Sequence, residues 1–203
     1  MTDTSYVFAC RFIAFAVCHS VLATPAVQHR FKTLFDSWWR YYRLGYNLIS
    51  IIMFGWVMAA YGGSRIIWLV PGVWGPLCHL AQGVLFLILI RCAAQAGIGD
   101  FLGFNQIKGR TPGHALIKDS CYARVRHPQY SLAVVFLLLN PVVSINGIML
   151  TLLSAAYFIF GAVVEEKRLV SKFAEEYRRY RESVPMFVPD FHRRRPGVKE
   201  EKR

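Results

Sequence analysis

The chain has 203 residues, with 24 Lys and Arg against 12 Asp and Glu, a formal net charge of +12, and a composition that is 55% apolar, 15% aromatic and 18% charged. A soluble domain averages about 25% charged residues, a nucleic-acid binder is basic but less apolar, and a disordered chain is poor in Phe, Leu and Ile. Long apolar runs separated by basic patches describe instead an all-α polytopic membrane protein, with the lipid bilayer and not nucleic acid as its partner.

A spanning helix needs ~20 mostly apolar residues. The first such segment is 5–23, interrupted by Arg11 and His19, with His19 expected in mid-membrane. No Lys or Arg precedes its apolar stretch, so it reads as a span and not as a cleaved leader. The second runs over 44–61 and stops at Gly62-Gly63; the third runs over 73–94 after Pro71-Gly72. Together they make an N-terminal membrane region, 1–94, followed by a second region, 95–203.

That second region opens with a polar, Gly-rich stretch over 95–128 and continues with a 36-residue apolar run, 129–164, too long for one span. Asn140-Pro141 and Asn146-Gly147 supply turn chemistry in its middle. Two helices are expected there, 128–140 and 146–164, joined as a tight hairpin. The total is five membrane helices. The link between helices one and two holds 4 basic residues, the link between three and four holds 5, and the segment after 164 holds 12, together 21 of the 24. Five spans put all three segments on one side, so the positive-inside rule predicts a multi-pass protein of the cell (inner) membrane with its N-terminus outside and its C-terminus cytoplasmic.

Beyond Val164, the positions Glu165, Leu169, Phe173, Tyr177 and Tyr180 recur at helical spacing with charged residues between them. They predict an amphipathic C-terminal helix lying on the membrane surface. Val184-Pro185 ends it, and a basic tail attracted to lipid follows. The five cysteines (Cys10, Cys18, Cys78, Cys92 and Cys121) contain no CxxC pair, so neither a disulfide framework nor a metal site is expected. Cys121 alone lies in a basic stretch that would favour a thiolate.

Two features of the basic side carry chemistry. Arg124-Val125-Arg126-His127-Pro128-Gln129-Tyr130 opens the fourth helix, with Pro128 at its first position. This is either a set of lipid-headgroup anchors or a helix start suited to an anion. Glu165-Glu166 ends the fifth helix, where carboxylates emerging from lipid need a partner or water. They are either a solvated boundary or, if the hairpin returns helix five beside helix four, the cation-binding half of a site for a zwitterion.

These residues resemble a family. The pattern RHPxY, then EExxLxxxFxxxYxxYxxxVPxxxP, spread over 124–189, is similar to the C-terminal signature of isoprenylcysteine carboxyl methyltransferases and related membrane methyltransferases. His19-Ser20 with Ala23, Tyr42-Arg43 with Tyr46-Asn47, and Asp100 with Gly103 and Gln106 resemble the branch holding methanethiol S-methyltransferases and NnrU-type membrane proteins.

The resemblance implies S-adenosylmethionine as cofactor, held by His127, Tyr130, Glu165, Glu166 and Tyr177. The acceptor implied is a small or lipophilic molecule, such as a thiol or a carboxylate. Methyl transfer at a sulfonium carbon needs no metal, and its catalysis rests on alignment and exclusion of water. Arg126 and His19 are the catalytic candidates. His19 is either the proton acceptor for a thiol or a helix–helix hydrogen-bond partner. Tyr46 and Asn47 read as packing and polar glue before substrate contacts. Leu132, Ala174 and Met186 depart from the family's usual Gly, Gly and Arg. Those departures keep a non-catalytic NnrU-type factor as an alternative, and a likeness to NADPH-dependent sterol reductases supplies another.

Overall fold

The computed structural model describes residues 3–110 and 115–190. The basic tail expected after 190, and part of the polar loop, lie outside the described residues. Eight helices are described: α1 Asp3–Leu22, α2 Pro25–Leu34, α3 Tyr42–Met58, α4 Trp74–Gln95, α5 Ile98–Leu102, α6 Phe104–Ile107, α7 Pro128–Leu138 and α8 Ile145–Ser183. Short 3-10 turns cover Asp36–Tyr41 and Ser120–Ala123. Three helices, α1, α4 and α8, are long and apolar enough to cross a membrane. At 17 and 11 residues, α3 and α7 are shorter than that.

Helices α1, α3, α4, α7 and α8 run alternately between two ends. At one end Ile66–Leu69 (β1) pairs antiparallel with Val142–Ser144 (β2). Asn146, wholly buried, donates to the carbonyls of Ala60 at 3.1 Å and Tyr61 at 3.0 Å. The small sheet corrects the purely helical expectation. β-Branched and aromatic residues at 66–69 and 142–144 leave two short extended segments, and each supplies the backbone partners the other lacks.

The other end gathers the basic links. Asn47 donates to the Phe101 carbonyl at 2.9 Å, Gln106 to that of Trp39 at 3.0 Å, and Arg168 reaches the Ala23 carbonyl at 3.5 Å. Gly103, at φ +89°, brings its loop so close to α3 that a Cβ there would stand 2.9 Å from the Arg43 Cβ; no larger residue fits this approach. The sequence reading missed α2, which Thr24 caps and Pro25 opens. That helix is short and polar, below the length at which periodicity speaks.

Phe8, Phe12, Val57, Ala60 and Leu150 form the core where α1, α3 and α8 meet. By contrast α4 turns most of its side chains outward, Leu80 and Leu87 among them, and buries only Cys92. Such a helix is stable only against lipid.

Three further expectations are corrected here. His19 stands in the last turn of α1, near the basic end and not in mid-membrane. The boundary expected near 164 between the fifth helix and the surface helix moves to Ala174, whose φ of 43° and ψ of −116° kink α8 there. Finally, Cys92 at the end of α4 and Cys121 in the loop form a disulfide, with a Cα–Cα distance of 5.8 Å. Spacing gave no sign of it, because 29 residues separate the two and only the fold brings them together.

Candidate active site

Proline at 128 starts α7 and leaves His127 as its flanking residue, in a non-helical conformation. Its side chain therefore points away from the helix axis, toward α8. There Glu165 and Glu166 reach the same level from the other arm of the hairpin. His127 Nε2 lies 3.2 Å from Glu166 Oε1, and Nδ1 lies 3.6 Å from Glu165 Oε2. The fold thus joins the two halves of the motif.

The two carboxylates differ in their surroundings. Glu166, with a side chain 9% exposed, is met by three cationic or titratable groups: Arg126 Nε at 2.7 Å, His127 at 3.2 Å and Arg181 Nε at 3.4 Å. A buried carboxylate survives only when so compensated. Glu165 is half exposed and, among the described residues, accepts one hydrogen bond, from the Tyr130 hydroxyl at 3.2 Å. Its remaining lone pairs are available to a ligand.

Arg126 does more than pair with Glu166. Its guanidinium also donates to the carbonyls of Arg181 at 3.1 Å and Val184 at 2.6 Å, while its own N–H bonds to the Pro185 carbonyl at 2.9 Å. The His127 N–H donates to the Met186 carbonyl at 3.1 Å, and the Ser131 hydroxyl to that of Phe187 at 2.7 Å. Segment 184–187 is therefore strapped along the start of α7. Because residue 186 contributes its main chain, a methionine there leaves the strap intact.

Aromatic rings form the floor. His127 stacks on Tyr130, and Tyr130 on Phe158, at centroid distances of 5.4 and 5.1 Å with the planes 2° apart in each case. Tyr177 is buried, with its hydroxyl beside Glu166 and Arg126. Tyr122 receives the Tyr180 hydroxyl on its carbonyl at 2.6 Å, and its own phenol is pushed up to about 12 by burial and then by the Glu165 charge. Arg181, Ser131 and Phe187 were not found by sequence reasoning. They act through long-range contacts that no local pattern carries.

A second polar cluster lies deeper, between α1, α3 and α8. His19 Nδ1 is 2.9 Å from Ser50 Oγ, and the Tyr46 hydroxyl is 2.6 Å from His19 Nε2. Ser20 and Tyr157 share a hydrogen bond of 2.9 Å alongside. Tyr46, expected as packing, is thus brought into direct contact with His19. Asn47, bonded to Phe101, serves as glue. Tyr157, Gly161 and Glu165 follow one another at four-residue steps along one face of α8, so this cluster and the upper site share that face.

Comparison with known proteins agrees with these motifs. The chain is 26% identical to the methanethiol S-methyltransferase of Pseudomonas deceptionensis over 90% of its own length and 71% of the relative's. It is 27% identical to methanethiol S-methyltransferase 2 of Bradyrhizobium diazoefficiens over 89% and 71%. It is 30% identical to the protein-S-isoprenylcysteine O-methyltransferase of Schizosaccharomyces pombe over 49% and 44%. These proteins are homologues of the chain. They support the isoprenylcysteine carboxyl methyltransferase-like superfamily that the C-terminal signature resembles. No family model and no solved structure matches the chain. The relatives named here are methyltransferases, which favours that reading over the reductase and the non-catalytic factor.

Proposed function

We propose that this chain is a multi-pass membrane methyltransferase that uses S-adenosylmethionine to methylate a thiol. One observation supports it above the others: His127 and the Glu165–Glu166 pair, 38 or more positions apart in sequence, come within 3.2 to 3.6 Å of each other at the polar end of the helical bundle. When bound, S-adenosylmethionine supplies a methyl group on a positively charged sulfur.

The residues present fit such a molecule, whose amino-acid end carries an ammonium and a carboxylate. Glu165, with lone pairs to spare, takes the ammonium. The Tyr177 hydroxyl is buried beside Glu166 and Arg126. His127 and Tyr130 offer stacked faces, and Glu166 holds His127, Arg126 and Arg181 in place. Arg126, a catalytic candidate from sequence, acts here as a positioning residue, because its donors tie Glu166 to the strap. The cluster around His19 is where the thiol's proton ends up. Catalysis then rests on alignment and dryness.

The test is transfer of labelled methyl from S-adenosylmethionine by the purified protein to thiols, prenylcysteines and lipids, with donor binding followed by calorimetry. Label in the thiol, and at least tenfold weaker donor binding in His127→Ala and Glu165→Ala, are expected. Unchanged binding in both variants would remove the site assignment.

A further inference from the structure

The deeper cluster contains more than a histidine. Ser50 Oγ donates its hydrogen to the Tyr46 carbonyl at 2.7 Å. Toward His19, 2.9 Å away, Ser50 is consequently the acceptor, so His19 carries its proton on Nδ1. Nε2 is then a bare lone pair, and it receives the Tyr46 hydroxyl at 2.6 Å. The Tyr46 oxygen, with its own hydrogen committed to His19, presents free lone pairs to anything that approaches it.

From this arrangement we infer that Tyr46 is the residue that takes the acceptor's proton, with His19 as its sink and Ser50 fixing the tautomer; the inference rests on the thiol-methyltransferase reading above. A thiol attacks as its thiolate, and an apolar bundle disfavours the free anion. The thiol S–H bond breaks and its proton goes to the Tyr46 oxygen, while the Tyr46 proton passes to His19 Nε2, leaving an imidazolium. The acceptor sulfur's electron pair forms the new S–CH3 bond as the donor's bond to that methyl breaks, and the donor departs as a neutral thioether. The imidazolium later loses its proton to water. Charge is conserved, since one positive sulfonium is exchanged for one positive imidazolium.

The position suits the role. His19 and Tyr157 rings lie 6.2 Å apart, and one turn further along α8 the Tyr130 hydroxyl packs against Gly161, 3.7 Å from where a Cβ would stand. Tyr130 in turn donates to Glu165. A path therefore runs along α8 from the donor-binding carboxylate to the relay.

The test compares Tyr46→Phe with the parent on ethanethiol, which is protonated at neutral pH, and on thiophenol, which is largely ionised. Loss of a proton shuttle lowers transfer to ethanethiol about 100-fold or more. The loss with thiophenol should be at least about tenfold smaller, with donor affinity and melting temperature preserved. Ser50→Ala should show the same selectivity in milder form. Equal losses on both acceptors, or none, overturn the relay. Infrared spectroscopy of bound ethanethiol gives a readout independent of turnover: the S–H band shifts to lower frequency in the parent and not in Tyr46→Phe. An unshifted band in the parent overturns the relay even if methyl transfer occurs. A shifted band without methyl transfer to any thiol leaves the relay standing and overturns the methyltransferase reading.

Discussion

Two adjacent glutamates do different work because burial separates them. Glu166 is enclosed and matched by Arg126, His127 and Arg181, so it organises the site; Glu165 is half exposed and keeps capacity for a ligand. Glu166→Gln should therefore cost about 3 kcal/mol of stability, since it strands buried cations, and thermal denaturation will register it. Glu165→Gln should leave the melting temperature within a few degrees and weaken donor binding at least tenfold by calorimetry. Ala174 presents the opposite case, a residue at odds with its backbone. Its φ of 43° lies where glycine is at ease and alanine is strained. Ala174→Gly should stabilise the protein by about 1 kcal/mol, read as a rise in melting temperature. The resemblance already marked glycine as usual at this position, but only the dihedral angles say why.

Among the elements, the hairpin of α7 and α8 was largely legible. Pro128, the Asn140-Pro141 turn and the apolar run on either side specify two antiparallel rods, because proline and asparagine favour a start and a turn whatever surrounds them. The small sheet was not legible. Neither 66–69 nor 142–144 is long enough to announce a strand, and each pairs only because the bundle brings the other alongside. The Cys92–Cys121 bond belongs to the same class: it ties the end of α4 to the loop that feeds the site. Removing it with Cys121→Ser should cost about 3 kcal/mol. Peptide mapping under non-reducing conditions should recover the linked pair, and recovery of two free thiols would contradict this pairing.

For the molecule as a whole, charge and hydropathy predict the distribution of its surfaces. Basic residues collect at the end where α1 finishes, α3 begins and the strap 184–187 closes on α7. If that end is cytoplasmic, an impermeant maleimide added to intact cells should label Gly72→Cys and leave Ser183→Cys unmodified until the cells are opened. The reverse pattern would invert the orientation. By itself the sequence determined that the chain is mostly helical with helices apolar enough to enter a membrane, and where most of its apolar segments begin. All of these follow from local composition and from the cost of placing polar backbone in lipid. Tertiary structure decided which residues meet: that His127 lies between two unlike carboxylates, that Arg126 holds the strap, and that the Tyr46 hydroxyl lies 2.6 Å from His19. Such contacts join positions tens of residues apart. Their geometry is set by packing of the whole bundle, which local spacing does not encode.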